Sequence, residues 1–187
     1  MKKSIKTLGI VAAAFFLMNT GAFAQGTTNV GGEAMYPKKN IVENAVKSKD
    51  HTTLVAAVKA AGLVETLMSE GPFTVFAPVN DAFENLPEGT VATLLKPENK
   101  ATLTKVLTYH VVEGNMDYKA ISTAIKKGGG KATMKTVSGG TLTAMMNGTT
   151  NITITDENGS VANITTYDVY QSNGVIHVID SVVLPKM

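Results

Sequence analysis

The chain has no cysteine and no arginine among its 187 residues. Without cysteine no disulfide can form, so the fold must be held by packing alone. The same absence removes a thiolate nucleophile, and a lipid anchor of the bacterial lipoprotein kind is not expected with Gln25 at the cleavage position. Without arginine there is no planar guanidinium to grip a phosphate or a guanine edge at two points. Long apolar runs are scarce too. The one candidate, Leu8–Met18, is shorter than the roughly 20 residues a membrane-crossing helix needs. It follows the basic start MKKSIK and precedes Ala22-Phe23-Ala24, with small residues three and one positions before the cut. That is the pattern of a secretory signal peptide over residues 1–24. Its removal takes Lys2, Lys3 and Lys6 from the 17 basic residues and leaves 14 against 15 acidic ones. A mature chain so near neutrality gives no electrostatic case for nucleic acid. The expected product is secreted or periplasmic, with no transmembrane anchor.

What remains is long enough for one well-buried core. Residues 25–36, rich in Gly, Thr and Asn, read as a flexible lead-in, and residues 37–187 as a single domain. Asn40 and Glu43 have the spacing of a capping box, followed by an apolar stripe of Ile41, Val42, Ala45 and Val46. A second start at Asp50–Thr53 opens a stripe of Leu54, Val55, Val58 and Ala61 that Gly62 interrupts, and Leu63, Val64 and Leu67 carry it on to Gly71-Pro72. Pro97 suits the first turn of a further helix with Leu103, Val106 and Leu107 inward. After Gly128-Gly129-Gly130 the period shortens to two. Asn147-Gly148, Asn158-Gly159 and Asn173-Gly174, with Gly139-Gly140 as a fourth turn, separate strand-like runs and predict a β-meander over residues 131–184. A helix-rich N-terminal half before a β-meander argues for α+β, with helices packed beside the sheet.

The stretch FTVFAPVNDAF, Phe73 to Phe83, joins these halves. Phe73–Ala77 suits a buried strand. Pro78 has no N–H for the ladder, and Asn80 or Asp81 can accept bonds from the free N–H groups of the next helix. The segment resembles the first signature of the fasciclin domain family, in which an apolar strand runs into Ala-Pro-Thr-Asn and an acidic, small, aromatic turn. Tyr109-His110-Val111-Val112 is similar to that family's Tyr-His motif, and NGVIHVIDSVVLP, Asn173 to Pro185, resembles the segment that closes its domain. The resemblance spans about residues 37–186 and departs at Val79, where the family more often has Thr. It implies an antiparallel β-sandwich or wedge with helices alongside, and a secreted or cell-surface role in adhesion or matrix interaction without catalysis or cofactor.

The resemblance also makes Tyr109 and His110 candidate binding residues, because the family's Tyr-His motif is implicated in receptor contact. Spacing gives the alternative: His110 follows Leu103 and Leu107 on the buried stripe, which makes it a core imidazole. His177 alternates with Val175 and Ile179 along a strand, which makes it a packing residue. Phe73, Pro78, Asn80, Asp81 and Phe83 are structural. No metal site is expected, since neither HExxH nor a second ligand at helical spacing accompanies His51, His110 or His177. GxSxG is absent as well. Asp81, Glu84, Asp117, Asp168 and Asp180 leave open a carboxylate pair of the glycosidase kind. Lys126, Lys127, Lys131 and Lys135 flank the triple glycine, either as a solvated loop or as a salt-sensitive contact for an anionic polysaccharide or lipid headgroup. Asn147, Asn151, Asn158 and Asn163 open Asn-x-Ser/Thr triplets, expected to carry no glycan behind a leader of bacterial type. The expected partner is a cell-surface protein or polysaccharide, and the expected state a monomer. Two alternatives come with their own marks: a deep pocket with facing carboxylates for a polysaccharide enzyme, and a closed apolar cavity for a carrier of a small apolar ligand.

Overall fold

The computed structural model describes residues 26–186, so the leader expected over residues 1–24 lies outside them. The lead-in expected to be flexible holds a hairpin instead, β1 (Thr28–Val30) paired with β2 (Glu33–Met35). Val30 and Met35 are its buried pair and pack with Ile41 and Leu54. Two isolated apolar residues in a polar run show no periodicity. Their burial depends on the helices above them.

Helices dominate the next stretch. α1 (Ile41–Ala45) starts with the expected capping box: the Glu43 N–H donates to Asn40 Oδ1 and the Asn40 N–H to the Glu43 carboxylate. α2 (Thr52–Ala61) ends where Gly62 turns left-handed at φ 74°, a conformation glycine enters without steric cost. α3 (Val64–Met68) then leads to β3 (Phe73–Pro78). After it come α4 (Asn80–Glu84), α5 (Thr90–Leu94) and α6 (Lys100–Tyr109), the last preceded by a 3-10 turn with Pro97 in its first position. β4 (Val111–Glu113) and α7 (Tyr118–Lys127) complete the first part.

The predicted meander follows as β5 (Lys131–Lys135), β6 (Thr141–Asn147), β7 (Asn151–Thr155), β8 (Val161–Gln171) and β9 (Gly174–Ile179). The seven strands β3–β9 form one sheet in the order β4-β3-β9-β8-β7-β6-β5. Its pairings are antiparallel apart from β3 with β9, which is parallel. A bridge between Val112 and Thr136 brings the two outer strands together, so the sheet nearly closes on itself. The α+β class read from the sequence is the one observed.

β3 and β9 are buried on both faces, which explains why each reads as an unbroken apolar run. Val75, Ala77, Ile176 and Val178 face a core under α1, α2 and α6. Phe76 and Ile179 point the other way, into a second core with α7 and the inner sides of β5–β8. Packing between α1–α3 and the first face is incomplete and leaves a cavity of about 110 Å³.

Candidate functional site

At the corner after β3 the expected cap is not formed. α4 begins after Val79 with no side-chain cap, and Asp81 lies in its first turn as the acidic residue that the helix dipole favours. Asn80 instead caps the neighbouring α2. Its Oδ1 accepts from the Thr53 N–H (3.0 Å) and the Thr52 hydroxyl (3.1 Å), while its Nδ2 donates to the Lys49 carbonyl (2.8 Å). α2 has no capping side chain of its own, since His51 occupies the N-cap position without such a bond. Phe73 and Phe83 are half-buried against the helical core, and Pro78 ends β3 buried.

α6 runs directly into β4, and the junction places Tyr109 and His110 inside the protein at 0% and 3% exposure. The Tyr109 hydroxyl donates to the Thr141 carbonyl (2.7 Å) and accepts from the Glu157 N–H (3.1 Å). Burial pushes its pKa up to about 12, so it stays a donor. Gly140 lies against the ring, where a Cβ would come within 2.7 Å of Cε2. The His110 ring is held by two backbone groups: Nδ1–H donates to the Val106 carbonyl (2.9 Å), and Nε2 accepts from the Val183 N–H (3.3 Å). Around this pair, Asp156 accepts from the Leu184 N–H (2.9 Å) and Glu157 from those of Thr141 (2.9 Å) and Lys186 (3.2 Å). The Tyr-His motif is thus a clamp joining α6, the turns at 136–141 and 156–160, and the C-terminal segment. In this position neither side chain can touch a partner, which corrects the reading of them as contact residues: the stripe that carries Leu103 and Leu107 inward carries His110 too.

His177 is fully buried in β9 and stacked on Phe76. Its Nε2–H donates to the Met116 carbonyl (2.8 Å), and its Nδ1 accepts from the Asp168 N–H (3.4 Å). Burial lowers the pKa of both rings, His110 to about 4, against the opposing pull of the carbonyls they face and of nearby aspartates. Each of the three histidines therefore has its own local environment. Among the described residues no group of three His, Asp or Glu side chains could hold a metal ion. Three of the five candidate carboxylates are occupied with backbone: Asp117 caps α7 through the Ala120 N–H (2.7 Å), Asp168 accepts from the Tyr118 N–H (2.7 Å), and Asp180 from the Asn163 N–H (2.8 Å), while Asp81 and Glu84 are exposed on α4.

One residue with a larger role than its sequence suggests is Asn173. The pair Asn173-Gly174 reads as a turn, and it does connect β8 to β9. Yet its Oδ1 also accepts from the Ile41 N–H at the start of α1 (3.0 Å), and its Nδ2 donates to the Leu67 and Ser69 carbonyls at the end of α3 (2.9 Å each). No local pattern announces a cap whose helix is more than a hundred residues away.

The outer face of β5–β8 is where the fold leaves side chains in the open. Strand register lines up Lys131, Met145, Thr153 and Asn163 in one row, and Thr133, Thr143, Thr155 and Val161 in the next. The row of the opposite face, Ala132, Ala144, Ile154 and Ala162, is buried. Lys131, Thr133, Lys135, Met145, Val161 and Asn163 are exposed, Thr143 and Thr155 half-buried, and Thr153 buried, with its hydroxyl on the Met145 carbonyl (3.4 Å). Lys126 and Lys127 are exposed at the C-terminal end of α7, joined to β5 by the triple glycine. That segment is a hydrogen-bonded turn, with the Gly128 N–H on the Ala124 carbonyl (2.8 Å) and the Gly130 N–H on that of Ile125 (2.9 Å).

Comparison with known proteins bears on the same segments. Residues 49–185 match the family model described as the Fasciclin domain. Protein sll1483 of Synechocystis sp. is 48% identical over 149 residues, covering 79% of this chain and 74% of its own. The transforming growth factor-beta-induced protein ig-h3 of Sus scrofa is 34% identical over 161 residues, covering 86% of this chain but 21% of that larger protein. Among solved structures, a FAS1 domain pair from the insect cell adhesion molecule Fasciclin I superposes with a TM-score of 0.68 at 18% identity, covering 78% of this chain and 51% of that one, a likeness of fold.

Proposed function

Since the chain belongs to the fasciclin domain family, we propose that it works outside the cytoplasm by surface contact, in adhesion or in association with matrix or biofilm, and not by catalysis. The observation that carries this reading is the outer face of β5–β8, where Lys131, Thr133, Lys135, Met145, Val161 and Asn163 are exposed on strands in register over a filled core. Neighbouring strands lie about 4.8 Å apart, so four of them offer a platform wide enough for several sugar units. The exposed Thr133 hydroxyl and Asn163 side-chain carbonyl can exchange hydrogen bonds with a polysaccharide, and Lys126, Lys127, Lys131 and Lys135 favour one bearing carboxylates or sulfates. In this reading Tyr109 and His110 are positioning residues that brace the domain from inside. The solved neighbour's description as a cell adhesion molecule supports the same class of function. Among the described residues no helix is long and apolar enough to cross a membrane.

The test is binding of purified protein to an immobilised polyuronate and to a neutral glucan, at low and high salt. Binding to the polyuronate that fades with salt, and that a quadruple Lys→Gln variant at positions 126, 127, 131 and 135 loses without change in melting temperature, is expected. Equal binding by the variant refutes the lysine contact. A pull-down from native surface extract that retains no polysaccharide or surface protein refutes the contact function itself.

A further inference from the structure

The cavity beneath the helices has no part in a contact made through the outer sheet face, and its chemistry is specific. Its walls come from α1, α2 and α3 on one side and from β3 and β9 on the other, with Leu54, Val58, Val75 and Ile176 among the lining residues. Two further wall residues, Val46 and Val137, are 44% and 40% exposed, so the cavity reaches solvent. The charged member of the wall is Lys59, and the other polar members contribute no charge. Lys59 lies at the surface of α2. His110 has both ring nitrogens bonded to backbone. His51 is buried, with Nδ1 against the Ser48 hydroxyl (2.8 Å) and with no hydrogen bond of normal geometry at Nε2. Burial keeps its ring neutral, opposed by the electrostatic pull of the Ala77 carbonyl and of Asp50.

We infer that this cavity is a binding site for an uncharged, hydrocarbon-rich small molecule, which inserts one ring or a short chain segment between the helices and β3/β9. The volume fits that assignment. A cavity of about 150 Å³ lined by apolar side chains stays dry and takes up benzene, and 110 Å³ with an open mouth accepts a similar group whose remainder emerges at the surface. A carboxylate or phosphate drawn inside would have to give up its hydration where no charge answers it, because the lining cation Lys59 lies out at the surface of α2. Carriage of an apolar molecule is compatible with contact through the outer face of β5–β8, because the one strand they share, β8, meets the cavity at Val169 and carries its outer-face residues Val161 and Asn163 at the other end.

The experiment titrates the full mature chain with toluene and, separately, with benzoate, following methyl resonances by NMR and the melting temperature. Expected are saturable shifts at Leu54, Val75 and Ile176 with Ile121 and Ile152 of the other core unmoved, a melting temperature that rises with toluene, and benzoate binding at least tenfold weaker. Ala45→Leu, which fills the cavity from α1, should weaken toluene at least tenfold. Absence of saturation up to the solubility limit of toluene, or shifts spread equally over both cores, overturns the site. The wild-type shift map decides the matter if Ala45→Leu does not fold.

Discussion

Acidification from pH 7 to pH 4 should weaken this protein steeply, and His110 sets the scale. Its folded ring is held neutral, with a pKa of about 4 against 6.5 for an ordinary imidazole. The cause is burial, which outweighs the Val106 carbonyl and Asp156 pulling the other way. Geometry gives the same answer: a proton placed on Nε2 would face the Val183 N–H, and the bond that fastens the C-terminal segment would be lost. Because the folded pKa lies below the unfolded one, the unfolded chain takes up the proton first. The stabilisation is complete above pH 6.5, declines below it, and is gone once pH has fallen through about 4. At about 1.4 kcal/mol per pKa unit, the loss from this one ring approaches 3 kcal/mol, a large part of a typical domain stability of roughly 5–15 kcal/mol. His51 and His177, lowered by burial as well, steepen the same slope. The assay is urea denaturation at half-unit pH steps on wild type and His110→Gln, whose amide can still donate to Val106 and accept from Val183 but does not titrate. The variant should show a shallower decline between pH 6.5 and 4. Equal slopes, or a His110 ring proton that titrates near 6.5 in the folded protein, would refute the reasoning.

Three further outcomes follow from the same contacts. Asn80→Ala should lower stability by about 1–2 kcal/mol through the lost cap on α2, while Asp81→Asn should stay within about 0.5 kcal/mol of wild type; thermal melts that reverse this order would place the cap on α4 after all. Tyr109→Phe leaves the Thr141 carbonyl and the Glu157 N–H without their shared partner and should cost about 1–3 kcal/mol in chemical denaturation, with faster amide exchange at Glu157. Gly140→Ala puts a methyl against a ring that has no room to move and should cost a similar amount, about 1–3 kcal/mol. The double variant Tyr109→Leu/Gly140→Ala should recover part of it, and strict additivity would show that the two sites do not touch.

Much of the fold was legible because its signals are local. The Asn40–Glu43 box, the Gly62 stop, the strand at Phe73 and the Asn-Gly turns each act within a few residues, so composition and spacing suffice to read them. The candidate site was less legible. Asn80 sits at the start of one helix and caps another, and Asn173 looks like a turn residue and also caps α1, because an amide bonds to whichever backbone groups the fold brings near. The hairpin at residues 28–35 escaped notice for a related reason: Val30 and Met35 are buried by residues distant in sequence, not by a periodic stripe of their own.

The amino-acid sequence alone determined a helix-rich half before a β-meander, the reliance on packing in a chain without cysteine, and, through three ordered motifs, the family. Only the tertiary structure decided that Tyr109 and His110 face inward, that exposed residues of β5, β6 and β8 line up beside the lysines of β5, and that the helices close over a space they do not fill. Periodicity fixes which side of an element is apolar. What that side meets, and whether it fills the gap, depends on elements brought together from opposite ends of the chain.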